Sequence, residues 1–275
     1  MSKRRKLFGF IVGTAAAWTA AVKPRIWGKP DLSEVRRYDY ARRGLYNSRK
    51  GIPENSLAAI RSAIEHGYGV ALDVRISRDG VPVLFHDERT YRLTGLDGTI
   101  ENTALEELGA LRLDGTEEII PTLGEALELI NARVPVLVQL HVCEGNVEAL
   151  CDRVCEVLDA YDGVFVLQAF DPRVLTWFRR QRNEYIRSQL VDYGYRSGQG
   201  WKERLWAFAA MNLFMNWFTE PDLIACSRTS RFNPSVWICR ILYRTLYLEW
   251  PVQTMEEYEL AKIDGSVAVF EDIEP

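Results

Sequence analysis

Short apolar runs alternate with stretches of helical spacing along most of this chain. The runs lie at 69–74 (GVALDV), 81–85 (VPVLF), 134–140 (VPVLVQL), 164–168 (VFVLQ), 186–190, 222–226, 246–250 and 267–270, and a further strand is expected at 38–42. Short continuous apolar runs bounded by polar residues read as strands covered on both faces. Between them, Leu57, Ile60, Ala63 and Ile64 share one face of a helix that Asn55 or Ser56 can cap. Thr122-Leu123-Gly124-Glu125 and Thr254-Met255-Glu256-Glu257 are capping boxes. Asn146 opens a helix striped by Leu150, Cys151, Val154 and Leu158, and Asp171-Pro172 sets a cap beside a first-position proline.

Strands that alternate with helices predict a parallel sheet with helices on both faces. One pair departs from that rule. Runs 69–74 and 81–85 are joined by a short link containing Asp79-Gly80, too short for a parallel crossover, so they pair as a hairpin or share an irregular excursion. That makes nine candidate strands, one more than an eight-stave barrel needs, and one uninterrupted block of such units favours a (β/α)8 TIM barrel over a doubly wound sheet.

Charge divides the chain into a leader, residues 1–30, and a barrel domain, 36–275. Residues 1–29 hold seven Lys and Arg and no acid, which leaves the remainder at −11 against −4 for the whole chain. An acidic body argues against nucleic acid as a partner. The leader contains sixteen uncharged residues, LFGFIVGTAAAWTAAV, between Lys6 and Lys23. It reads as a single-pass membrane anchor, in competition with a cleaved signal peptide or an amphipathic tail, and the membrane side is left open. The five cysteines are odd in number and lack zinc-type spacing; Cys151 and Cys155, one helical turn apart, read as small buried apolar residues. The aromatic segment 201–218 reads as barrel cover, with Leu205, Phe208, Ala209 and Leu213 at core spacing, in competition with a bilayer-facing surface.

In such a barrel the chemistry sits at the C-terminal ends of the strands. Reading those ends gives Arg42 and Arg43, Asp73, His86 and Asp87, Gln139 and His141, then Gln168 and Asp171. Together they outline one polar rim, without specifying a reaction.

The elements ARRG (41–44), GIPENSLAAI (51–60), HGYGVALDV (66–74), SRDGVPVLFHD (77–87), YRLTG (91–95), IPTL (120–123) and VPVLVQLHV (134–142) carry a resemblance. In motif order and spacing the chain resembles the glycerophosphodiester phosphodiesterase family, with fainter agreement through QAFDPRVLTWFRR (168–180) and AVFEDIEP (268–275). A membrane-anchored bacterial subset of that family also has a short apolar leader. The resemblance implies a phosphoric diester hydrolase of lipid metabolism that cleaves glycerophosphodiesters to glycerol 3-phosphate and an alcohol. It implies Ca²⁺ or Mg²⁺ on three carboxylates, two histidines as acid and base, and cations that offset phosphate charge.

Carried over residue by residue, the motif is damaged. Arg42 stands for the first family histidine, Ala71 for the first carboxylate ligand, Gln139 for the third, and His141 for a lysine. Retained are Arg43, Glu54 and Asn55 as substrate-binding residues, Asp73 as a metal ligand and His86 as a catalytic histidine. Arg42 cannot lose its proton near neutrality. It is expected to pair with Asp73, fill the space left at Ala71 and stand in for the ion, so that no Ca²⁺ or Mg²⁺ binds. The expectation is a pseudoenzyme that binds a glycerophosphodiester, another phosphorylated small molecule or a partner. The alternative is an active hydrolase that uses His86 with rearranged metal or acid and base groups, such as a His86/His141 pair.

Overall fold

The computed structural model describes residues 3–143, 145–193 and 200–275. Nine strands form one sheet: β1 (Tyr40–Arg42), β2 (Gly69–Ile76), β3 (Pro82–Leu84), β4 (Val136–Leu140), β5 (Phe165–Ala169), β6 (Ile186–Val191), β7 (Leu223–Ser227), β8 (Leu246–Val252) and β9 (Val267–Phe270). Eight are parallel, in the order β1-β9-β8-β7-β6-β5-β4-β2, and β1 pairs with β2 to close the ring. Each expected run becomes a strand. β3 is the supernumerary one, antiparallel to β2 with Val74 opposite Leu84, and lies outside the ring.

Local chemistry sets the helix starts. Ser56, not Asn55, caps the helix Leu57–Glu65, its Oγ accepting from the Ala59 amide at 3.1 Å. Thr122 and Glu125 form the expected reciprocal box, and Asp171 caps the helix Pro172–Gln181. The second box is only half made. Thr254 accepts from the Glu257 amide, whereas Glu257 reaches the Gln253 amide instead of Thr254. Asn146 precedes the helix Val147–Leu158 without capping it; its Oδ1 accepts from the Cys143 amide. Cys151 and Cys155 are buried free thiols.

The single-pass anchor expected of the leader is not formed: among the described residues no helix is long and apolar enough to cross a membrane. The helix Lys3–Ala21 opens with four charged residues, so its uncharged part runs only from Leu7 to Ala21. At 1.5 Å per residue that is about 22 Å, short of a hydrocarbon core of about 30 Å. Its C-terminal end instead packs on the barrel. Trp18 Nε1 donates to Ser235 Oγ at 3.0 Å, Tyr243 donates to the Thr19 carbonyl at 2.8 Å, and Val22 is buried with Leu213, Val236 and Cys239. Of the aromatic segment's proposed core positions, Leu213 is buried, while Leu205 and Phe208 are more than half exposed.

Candidate functional site

Strand alternation decides which side chains reach the rim. On β2, Val70, Leu72 and Val74 pack outward against helices, while Ala71 joins Leu137, Val166 and Val269 in the inner cluster. A period of two then sets Asp73 above Ala71, Gln139 and His141 above Leu137, Glu271 above Val269, and Arg42 above Tyr40. Register fixes the neighbours: Asp73 lies opposite Gln139 and Arg42 opposite Ala71.

After β1 the backbone turns abruptly. Arg43 (φ 60°) and Asn55 (φ 53°) both hold left-handed conformations, which cost non-glycine residues about 1–3 kcal/mol each. Hydrogen bonds hold the turn, with the Arg43 amide donating to the Ala71 carbonyl and the Asn55 amide to the Arg43 carbonyl at 2.8 Å. Gly44 follows at φ 79°, where a Cβ would come within 2.7 Å of the Ala59 backbone, so the helix Leu57–Glu65 can approach only a glycine.

This turn delivers Arg43 into a buried network. Its Nε donates to Asp73 Oδ2 at 2.9 Å, and its NH1 donates to both Glu54 oxygens at 3.1 Å. Asn55 Nδ2 donates to the same Asp73 oxygen at 3.3 Å. The other Asp73 oxygen accepts from His141 Nε2 at 2.6 Å, and the Gln139 amide lies 3.1 Å from that nitrogen. Burial opposes ionisation of Asp73, but His141, then Arg43 and His86, overcome it and hold the carboxyl well below its ordinary range. Burial likewise works against the Arg43 charge, and Asp73, Glu54 and Glu271 more than restore it.

His86 stands on the far side of His141, with ring centroids 5.1 Å apart and planes at 74°. Its Nδ1 donates to Asp87 at 2.7 Å, and Arg92 ties Asp87 to Glu54. Burial, assisted by the Arg43 and His141 charges, lowers the His86 pKa against the pull of Asp73 and Asp87. That shift favours the neutral imidazole, which can accept a proton or a Lewis acid.

Arg42 corrects an expectation. It does not turn to Asp73; its NH1 donates to Glu271 Oε2 at 2.8 Å and its guanidinium lies 5.6 Å from the Trp250 ring centre. Ala71 is closed over by the inner apolar cluster, at 8% exposure. Glu271 was missed by the sequence reading, although it directly follows the apolar run 267–270 and the strand-end rule applied to β9 selects it. It also takes Tyr46 OH at 3.3 Å and Arg43 NH1 at 3.6 Å. The structure thus brings together Arg42, Arg43, Glu54, Asn55, Asp73, His86, Gln139 and His141. Gln168 instead donates to Ser188, and Asp171 serves the cap of its own helix and Arg173.

Comparison with known proteins places this geometry. Glycerophosphodiester phosphodiesterase 1 of Homo sapiens is 31% identical over 186 residues, covering 60% of this chain and 55% of that protein. The match therefore spans about half the length of the curated relative. A glycerophosphodiester phosphodiesterase of Caldanaerobacter subterraneus is 37% identical over 107 residues, covering 36% of this chain and 43% of the relative. Among solved structures, an Oleispira antarctica phosphodiesterase in complex with the product sn-glycerol-3-phosphate superposes with a TM-score of 0.69 at 27% identity, over 85% of this chain and 92% of that one. The Thermotoga maritima glycerophosphodiester phosphodiesterase, at 22% identity and TM-score 0.64 over 85% and 93%, shares the fold. The model of the glycerophosphoryl diester phosphodiesterase family matches residues 43–231, a span that includes Arg43, Glu54, Asn55, Asp73 and His86, and the chain belongs to that family.

Proposed function

We propose that this barrel binds a phosphorylated glycerol ligand at its rim and has lost the metal-dependent hydrolysis of its family. The observation that carries the reading is the state of Asp73. Both of its oxygens already accept from protein donors, Oδ1 from His141 and Oδ2 from Arg43 and Asn55. Ca²⁺ and Mg²⁺ take six or more oxygens and lose water reluctantly. Around Asp73 the family's other two carboxylate positions are Ala71, without a side-chain oxygen, and the neutral Gln139. The donor set does not fit a hard cation. Arg42 replaces a proton-exchanging histidine with a group that cannot exchange a proton.

Binding is the function these residues remain suited to. Among the described residues Arg42 spends only NH1 on Glu271, and a guanidinium has five N–H donors arranged to match phosphate oxygens. The product held by the Oleispira protein supplies the ligand to test. Calorimetry with sn-glycerol 3-phosphate should give binding that Arg42→Ala weakens, alongside no Ca²⁺- or Mg²⁺-dependent hydrolysis of glycerophosphocholine. Metal-dependent turnover abolished by Asp73→Asn would overturn the reading.

A second reading keeps hydrolysis, with His86 and His141 as acid and base. The lowered His86 pKa and the close T-shaped ring pair favour it. It requires metal-independent turnover with a pH dependence that His86→Ala removes.

A further inference from the structure

We infer that Asp73, His86 and His141 form a binding site for a divalent metal of the zinc and cobalt class, in place of the hard cation the family uses. The inference rests on the preceding reading of Asp73 as unsuited to Ca²⁺ and Mg²⁺, and extends it to what the altered donors do suit. Each of the three residues offers one ligand atom, and these atoms lie within 4.8 Å of one another. Ligands of one zinc ion at about 2.1 Å sit roughly 3.4 Å apart, so the ring rotations needed move atoms by about 1 Å.

The donor change has a direction. Replacing a carboxylate by Ala71, another by Gln139 and a lysine by His141 removes anionic oxygen, and although Arg42 takes away one family histidine, His141 sets a second imidazole beside Asp73 and His86. Two imidazoles and one carboxylate oxygen suit borderline metals and leave positions open. The surroundings are built as such sites are. His86 donates Nδ1–H to Asp87, which fixes the ring and leaves Nε2 as its ligand atom, and Arg92 holds Asp87 in turn. Arg43 and Asn55 grip Asp73 by Oδ2, so Oδ1, held only by the His141 ring that is itself a ligand, is the oxygen a metal would take.

Oδ1 and His141 Nε2 now share a hydrogen bond of 2.6 Å. Two ligand atoms bridged by one proton is an arrangement a metal replaces by taking both. The metal takes the place of the Nε2 proton, which leaves to solvent, and the carboxylate keeps its charge. Arg43 offsets that charge, which further disfavours hard cations relative to metals bound largely through nitrogen.

The test is a titration of the full chain with Co²⁺, read by its visible d–d absorption. One equivalent should produce the spectrum, Zn²⁺ should displace it, and excess Ca²⁺ and Mg²⁺ should not. His86→Ala and His141→Ala should abolish it, and Asp87→Ala should weaken binding about 10–100-fold. Zinc-edge X-ray absorption of the wild-type chain should show two imidazoles, which requires no variant to fold. Absence of the Co²⁺ spectrum, its persistence in both histidine variants, or a zinc shell without imidazole overturns the inference and leaves the preceding reading intact. Displacement of Co²⁺ by Ca²⁺ overturns that reading as well.

Discussion

At the N-terminal ends of β6 and β7, the Arg187 amide and the Arg25 guanidinium share Asp222; at the C-terminal ends of β1, β2 and β9, Arg42 and Arg43 face Asp73, Glu54 and Glu271. Both groups are buried arginine–carboxylate clusters, yet their electrostatics run in opposite senses. In the first, burial and then the Arg25 charge bring Arg187 down to about 10, and burial raises Asp222. The Arg187 guanidinium donates mainly to the carbonyls of Asn183, Tyr185 and Glu220, and its Nε has no hydrogen-bond partner among the described residues. Arg25 Nε lies 3.3 Å from Asp222 Oδ1, near enough for Coulomb attraction, while the oxygen lacks a properly directed hydrogen bond. This cluster ties the leader and two strands together and faces no solvent. In the rim cluster the charged forms of Asp73 and Arg43 are favoured, carboxylates outnumber arginines, and two histidines border it at 31% and 15% side-chain exposure. The same residue types close the barrel at one end and leave a site at the other. What separates them is whether each charge has a matched partner and an opening to water.

Four outcomes break or sharpen this contrast. The largest is expected from rebuilding the rim: Arg42→His, Ala71→Glu, Gln139→Glu and His141→Lys together should create Ca²⁺-dependent hydrolysis of glycerophosphocholine. The histidine alone is worth about 10²–10⁴ in rate, yet no single reversion should suffice. Next, Asp222→Ala strands the buried Arg25 guanidinium and the Arg187 amide and should cost about 3–5 kcal/mol in urea unfolding, with sn-glycerol 3-phosphate binding unchanged. A loss of ligand affinity there would show that the two ends are coupled. Arg42→Ala should do the reverse. It removes one charged hydrogen bond, about 1.5 kcal/mol of stability, while Arg43 and Tyr46 still serve Glu271, and ligand affinity should fall.

The smallest effect is in the pH dependence. Asp73 has a folded pKa below its unfolded value of about 3.9, so the unfolded chain binds more protons between the two. Its contribution is present above that range and is lost as pH falls through the folded value. Asp222 is raised by burial, so the native chain binds more protons in its window, and stability falls as pH rises from about 3.9 through the folded value. The stability difference between wild type and Asp73→Asn should therefore grow with pH, and that between wild type and Asp222→Asn should shrink. Slopes of equal sign in urea unfolding across those windows would remove the distinction between the clusters.

The barrel was legible because its strands are continuous apolar runs, and because Asp79-Gly80 announces the one hairpin. Rim membership was legible too, since β-strand alternation and the strand-end rule select Arg42, Asp73, Gln139 and His141 without knowledge of their contacts. Pairing was not. Charge along a chain does not say which carboxylate an arginine meets, and Arg42 turned to Glu271, 229 positions away. The leader misled for a related reason. Its apolar stretch resembles an anchor by composition, but Val22 and Arg25 find long-range partners in residues near 183, 216, 222 and 239. Leu205 and Phe208 have helical core spacing, yet both remain more than half exposed.

A crystal structure of the full chain grown with saturating Ca²⁺ tests the commitment of Asp73 most directly. It should find Oδ1 still on His141 and Oδ2 still on Arg43, with no ion between Asp73 and Gln139. A calcium ion on Asp73, with His141 swung away, would contradict the account.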